Sequence, residues 1–437
     1  MKKIGMMISL FFIGIVAAYS QRLTTTQIKT LDSLAQILLE NNRAMGSFSV
    51  WQNGKEVYAR TFGLANYRKS VPANENTLYG IGSMSKMYTA AIILQQVQAN
   101  KLQLETTVAQ YFPDLKNADK ITIEHLLTHR SGIAEIIDLP DYASWRTNTV
   151  SRDSLEKKLN TLSANFTPGS NFGYSNTNFI LLSLIAEKVD KLGYHELLKR
   201  YVTGPLKLHN TYFKEGNKHI AESYKYVTDW EFEPPTSNTV AIGAGGIIAT
   251  ASDLNKFLNA VFRGNYLQKN LVSKVFQFNN NHSLGFQEFT YENLAGIGHG
   301  GRIDGFESYG AYFPQQQTSI AFTSNALLYP LYDVWMQLVK IVFNKPNQLP
   351  VFEVASAEEL DSFTGKYANP NFPFQFEFTN KKNQLILHAE GRSNALVYNG
   401  KNSFSLQMIG LELVFNSANG TMLFKQNGGE FLFTKVK

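Results

Sequence analysis

The chain has 437 residues, 44% of them hydrophobic and 17% charged, which supplies a sizeable packed core and excludes a largely disordered protein. That length suggests two or three domains, and 13% aromatic residues, mostly Phe and Tyr, lean toward substantial sheet. The net charge of +6 is spread without a dense Lys/Arg block, which argues against a nucleic-acid partner, and the lack of cysteine excludes disulfides, thiolate metal sites, a cysteine nucleophile and a cysteine-linked lipid.

At the N-terminus, Lys2 and Lys3 precede an apolar stretch from Ile4 to Ala18, and Ala18-Tyr19-Ser20 places small residues at −3 and −1 before Gln21. This is the pattern of an export signal over residues 1–20, cleaved after Ser20. The apolar run is shorter than the ~20 residues that span a bilayer, so no stable membrane anchor is expected after cleavage. A periplasmic or secreted protein is expected, in a compartment where disulfides are optional.

Residues 24–42 carry Ile28, Leu31, Leu34, Ile37 and Leu38 at helical spacing. Alternating segments on either side of Asn53-Gly54 then predict a hairpin. From Ser83 the text MSKMYTAAIILQQVQANKL reads as helix, followed by ITIEHLLTHRSG, the run from Asn178 to Lys191, and SDLNKFLNAVFRG. Strand-like text returns at 296–325, and LYDVWMQLVKIVF is the last predicted helix. Strands at both ends with helices between predict an α+β fold: an antiparallel sheet flanked by helices, with an inserted helical subdomain. That unit is assigned to residues 21–345, with 346–358 as a linker. Residues 359–437 show short alternating runs with turns at Asn399-Gly400, Asn419-Gly420 and Gly428-Gly429, which predicts a small C-terminal antiparallel all-β domain, barrel-like, with its aromatics as core.

Ser83-Met84-Ser85-Lys86 opens a predicted helix, which puts Ser83 and Lys86 one turn apart on one face. A serine hydroxyl needs a base beside it to act as a nucleophile, and a lysine serves when its surroundings lower its pKa. The helix N-terminus adds a positive dipole where an oxyanion would form. Ser154-Leu155-Glu156-Lys157 has the same form but lies in a polar run and reads as a solvated face. Tyr174-Ser175-Asn176 is equally common by itself, since Tyr291-Glu292-Asn293 and Tyr367-Ala368-Asn369 share its pattern.

Order and context single out Ser83. With Tyr174-Ser175-Asn176 downstream at the family's spacing and His299-Gly300-Gly301 as a third box, residues 25–340 resemble the serine β-lactamase-like and penicillin-binding protein family, with its class C β-lactamases, D,D-peptidases, D-aminopeptidases and esterases. GIGSMSK, LLTHRSGI, TPGSNFGYSN and GAGGIIATASDL match the same context. The resemblance implies Ser83 as the acyl-forming nucleophile, Lys86 as the group relaying its proton, and Tyr174 as the general base. It implies Asn176 on the substrate amide, His299 positioning Tyr174 and the substrate's anionic end, and the backbone N–H groups of Ser83 and Arg302 as an oxyanion hole. No cofactor or metal is implied.

Two departures bear on substrate. A histidine replaces the lysine usual in the third box, and it binds a carboxylate less reliably near neutral pH. Gly300 replaces a hydroxyl residue, removing a further hydrogen bond; the Arg302 side chain either compensates as a substrate-facing charge or points to solvent. The expected activity is therefore acyl-enzyme hydrolysis of a small peptide, ester or lactam, with cell-wall peptide among the candidates. The alternatives are a carboxylesterase-like hydrolase without peptidase activity, or a catalytically silent binding or sensor protein. His125 and His129 stand one helical turn apart but lack a third ligand, so His129 with Ser131-Gly132 is expected to stabilise a helix end. Gly243–Gly246 reads as a close-packed turn rather than a phosphate loop.

Overall fold

The computed structural model describes residues 22–213, 220–264, 266–389, 391–406 and 409–436, so the export-signal reading of residues 1–20 lies outside the described residues. Helix α1 (Thr25–Glu40) starts at a capping box in which the Thr24 hydroxyl accepts from Gln27 N–H and the Gln27 side chain accepts from Thr24 N–H. Of the apolar stripe read from the spacing, Leu31, Leu34 and Leu38 are completely buried and Ile28 and Ile37 half-buried. Strands β1 (Ala44–Gln52) and β2 (Lys55–Phe62) form the expected hairpin. Asn53 and Gly54, at φ of 53° and 77°, supply the left-handed pair that a tight hairpin turn needs.

Helix α2 (Ser85–Gln98) follows a single 3-10 turn at Gly82–Met84. Helices α3 (Asn176–Asp190) and α4 (Ala251–Arg263) pack with it as the inserted block. The chain then lays down β3 (Phe286–Tyr291), β4 (Leu294–Ile303), β5 (Phe306–Phe313) and β6 (Thr318–Leu327), and β6 pairs with β1. The sheet runs β3-β4-β5-β6-β1-β2 with each of these neighbours antiparallel, so the first strand of the unit pairs with its last inside the sheet. Helix α5 (Leu331–Val342) joins α1 on one face, over Phe48, Val50, Phe313, Ile320 and Phe322. The helical block covers the other face over Phe286, Ile297, Tyr312 and Ala321. Each fully buried Leu or Phe in these layers contributes about 1.5–3 kcal/mol.

One helix ends early. The expected helix through ITIEHLLTHRSG stops at Leu127, because His129 takes a left-handed φ of 56° and turns the chain toward residue 173.

Residues 345–356 form neither helix nor strand. Beyond them a helix over Ala357–Phe363, capped by Ser356 and absent from the sequence reading, precedes nine short antiparallel strands. The two strands at the ends of that sheet order, Arg392–Ala395 and Val397–Gly400, are consecutive in the chain, which brings the sheet round into a near-barrel. Its interior is aromatic: Phe363, Tyr367, Phe378, Phe404, Phe415 and Phe433 are all buried. Two turns sit one or two residues from their expected places. Lys401-Asn402 and Asn427-Gly428 carry the left-handed pairs, and Asn399-Gly400 and Gly429 belong to strands. The barrel touches the sheet unit at a short hairpin (Tyr224–Tyr226 with Trp230–Phe232), where Ala395 N–H donates to Val227 O and Gln384 bonds the Tyr226 hydroxyl.

Candidate active site

Ser83 sits in the 3-10 turn that leads into α2, half-buried, and Lys86 in the first turn of α2 is fully buried. Lys86 Nζ lies 2.9 Å from Ser83 Oγ, 2.7 Å from Asn176 Oδ1 and 2.8 Å from Ala244 O. An ammonium has three protons, so these three acceptors account for all of them. Two are oxygens that only accept. The third contact, to Ser83, therefore runs in either sense: N–H to Oγ from the ammonium, or Oγ–H to N when the amine is neutral. A proton can pass along it without either side chain being displaced.

Asn176 opens α3 and is held from the other side. Its N–H donates to Glu135 Oε2 at 2.5 Å and its Nδ2 donates to the same oxygen at 3.2 Å, which fixes Oδ1 toward Lys86. Both ends of the Asn176 amide are thus engaged, where the sequence reading had reserved it for substrate. Partial burial raises the pKa of Glu135, while the backbone N–H groups of Asn176 and Ile137 and the Lys86 charge oppose that rise.

Tyr174 is 37% exposed, with Lys86 Nζ 5.1 Å from its ring centre. The ring lies over His129, centroids 4.4 Å apart and planes 27° apart. His129 also clamps the neighbouring backbone: its Nδ1 accepts from Ser175 N–H at 3.1 Å and its carbonyl accepts from Gly173 N–H at 2.9 Å. So the sequence expectation of a helix end at His129 holds, and the residue additionally fixes the segment bearing Tyr174. His125 is spent differently, its Nδ1 accepting from Thr122 N–H in a capping box.

His299 is 2% exposed on β4, and its ring centre is 6.3 Å from that of Tyr174. Its Nδ1 bonds the Gly300 carbonyl. Burial first, then the Lys86 charge, push its pKa down to about 3, so it is neutral at physiological pH. It offers no positive charge to an anionic substrate end.

The glycines of the third box let β4 approach the turn before α2. A Cβ on Gly301 would stand 2.0 Å from Ile81 O, and one on Gly82, at φ 51°, would stand 2.6 Å from Arg302 N. Ser308 on β5 donates to the same Ile81 carbonyl at 2.9 Å. The backbone of Arg302 is thereby brought against the turn carrying Ser83. The Arg302 side chain, 63% exposed, pairs with Glu307 at 2.8 Å.

Ser83, Asn176 and Arg302 line a cleft of about 290 Å³ whose remaining wall includes Ile136, Ile137, Tyr142, Ile180, Val240 and Ile303. Sequence reasoning missed Glu135 and Ala244. The segment read as a close-packed glycine turn is a short kinked helix (Asn238–Gly245) in which Gly243 packs against Ser183 and Thr89, and it presents Ala244 O to Lys86. Ser154 lies on an exposed helix face, as expected.

A helical block set into an antiparallel sheet, with a serine–lysine pair where the block meets the sheet, defines the β-lactamase/transpeptidase fold. The chain belongs to the beta-lactamase family, whose model matches residues 30–333. It is 29% identical over 326 residues to protein flp of Staphylococcus aureus (strain MW2), a match covering 70% of this chain and 64% of that one. It is 26% identical over 229 residues to the teichoic acid D-alanine hydrolase of S. aureus (strain MRSA252), covering 51% of this chain and 55% of that protein. The chain thus spans less than two thirds of either relative. The octameric penicillin-binding protein homologue from Pyrococcus abyssi superposes with a TM-score of 0.65 at 23% identity, over 94% of this chain and 96% of that one, so the shared fold extends through the C-terminal barrel.

Proposed function

We propose that the protein is a serine hydrolase that acts through an acyl-enzyme on Ser83, with a small amide, ester or lactam as substrate. The observation that carries this reading is the Ser83–Lys86 contact of 2.9 Å, with the other two protons of Lys86 taken by Asn176 and Ala244. Ser83 Oγ attacks the substrate carbonyl carbon and passes its proton to the Lys86–Tyr174 pair. The tetrahedral oxyanion is received by backbone N–H groups of Ser83 and Arg302. Collapse expels the amine or alcohol, which takes that proton. Water then attacks the acyl-serine ester, the same groups accept its proton, and Ser83 is regenerated. Asn176 acts by holding Lys86. The teichoic acid D-alanine hydrolase among the relatives supports the ester reading, and the sequence of residues 1–20 supports export.

A fluorophosphonate probe and a fluorescent penicillin test the proposal. Labelling by at least one is expected to survive Ser154→Ala and vanish with Ser83→Ala. Folded protein that neither probe labels would sink the enzyme reading in favour of a binding protein. Nitrophenyl esters, nitrocefin and D-alanyl-D-alanine peptides then rank the substrate classes.

A further inference from the structure

The charges around the Ser83 cleft carry a statement about substrate, one that rests on the hydrolase reading above. Among the described residues of the cleft wall the cations are Arg146 and Arg302. Arg146 is bound on both arms of its guanidinium, Nη1 to Asp304 at 2.9 Å and Nη2 to Glu233 at 2.8 Å. Lys225 also reaches Glu233, at 3.1 Å. Arg302 holds Glu307, directly opposite it on the β4–β5 hairpin. Three cations face three carboxylates, and no charge is left over. Lys86 has given its three protons to Ser83, Asn176 and Ala244, and His299 is buried without a charge.

The Arg302–Glu307 pair is the decisive one, because Arg302 is the cleft cation whose backbone lies against the turn carrying Ser83. The Glu307 carboxylate is only 15% exposed, and its second oxygen is buried with no hydrogen-bond partner. Were Arg302 to turn toward a substrate carboxylate, Glu307 would be left as a buried, unpaired charge, which is strongly unfavourable. The ion pair therefore keeps Arg302 on the protein.

We propose that Glu307 is a specificity-determining residue that withholds Arg302 from the substrate. The enzyme thereby selects esters and amides whose leaving group is uncharged over those, such as free C-terminal peptides and penicillins, that carry a carboxylate there.

The test uses a matched pair of thioesters, N-acetyl-D-alanyl mercaptoacetate and its methyl ester, with thiol release followed on the full chain and rates referred to sites titrated with a fluorophosphonate. The methyl ester is expected to have a kcat/KM at least tenfold higher. Glu307→Gln, which frees Arg302, is expected to raise the acid-to-ester ratio at least fivefold, while the double variant Glu307→Gln/Arg302→Gln, which removes both charges of the pair, keeps the wild-type ratio within twofold. A wild-type preference for the free acid, or a folded double variant that loses activity selectively on the acid, would overturn the proposal, and the first outcome depends on no variant folding. An unchanged ratio in folded Glu307→Gln overturns it as well. Turnover of neither thioester above the Ser83→Ala background rejects the hydrolase reading itself, and this one with it.

Discussion

Lys86 is completely buried, yet no carboxylate forms an ion pair with it among the described residues. Its charge is stabilised by dipoles, those of Ser83, Asn176 and Ala244. Such an arrangement holds the side chain without trapping its proton as a carboxylate would, which suits a group that must both take and return one. Tyr174 is placed by a different device, the His129 ring beneath it and the His129 Nδ1 on Ser175 N–H. His129→Ala removes both supports and is expected to lower kcat about 10- to 100-fold while KM changes little, the cost of misplacing a reacting group by an ångström or so. His129→Asn tolerates the left-handed φ of 56° and restores an acceptor, so it should recover part of kcat. Steady-state kinetics of the two variants on one ester checks this; equal kcat in His129→Ala and wild type would refute the positioning role.

At the scale of elements, the site depends on how closely β4 meets the turn before α2. Gly301→Ala would drive a methyl into Ile81 O at 2.0 Å and is expected to destabilise by at least ~1–3 kcal/mol, the range for overpacking, and to abolish probe labelling. Gly300→Ala meets only the Tyr309 ring, at 3.2 Å, and should keep both fold and labelling. Thermal melts and labelling of the two variants distinguish them. This junction also shows what was legible in the sequence. Ser83-x-x-Lys86, Tyr174-Ser175-Asn176 and His299-Gly300-Gly301 are short patterns that survive in one dimension, as are the Asn53-Gly54 turn and the stripe of α1. Ala244 O and Glu135 are not. They reach Lys86 and Asn176 from 158 and 41 residues away, through a backbone carbonyl and a lone loop acid that no local pattern marks. The same holds for the Arg302–Glu307 pair, which needs the hairpin register before its charges can be seen to cancel.

At the scale of the whole molecule, three separate stretches of chain bring histidine rings together around Tyr174. His129, His282 and His299 surround Tyr174, with ring centres of 4.4, 5.8 and 6.3 Å from its own. All three have pKa values lowered by burial, His129 strongly and His299 to about 3, and Lys86 lowers those two further. In the unfolded chain each would titrate at about 6.5. Above that value the folded and unfolded states bind the same number of protons at these rings, and their full contribution to stability is present. Below it the unfolded chain takes up protons that the native state refuses, so stability falls with pH toward the folded values. The half-buried carboxyls of Glu135 and Glu307 have raised pKa values and act in the opposite sense, adding stability as pH falls through those values toward the unfolded range. The histidine effect sets in as pH falls below 6.5, and a His299 variant separates it from the contribution of the carboxyls. For His299 alone it amounts to about 2 kcal/mol at pH 5, from 1.36 kcal/mol per unit over about one and a half units. The melting temperature should fall over this interval, and His299→Gln should fall less steeply from its own value at pH 7.5. Parallel melting curves at half-unit steps measure both slopes; identical slopes would mean that His299 accepts a proton in the folded state and is not held neutral by its burial.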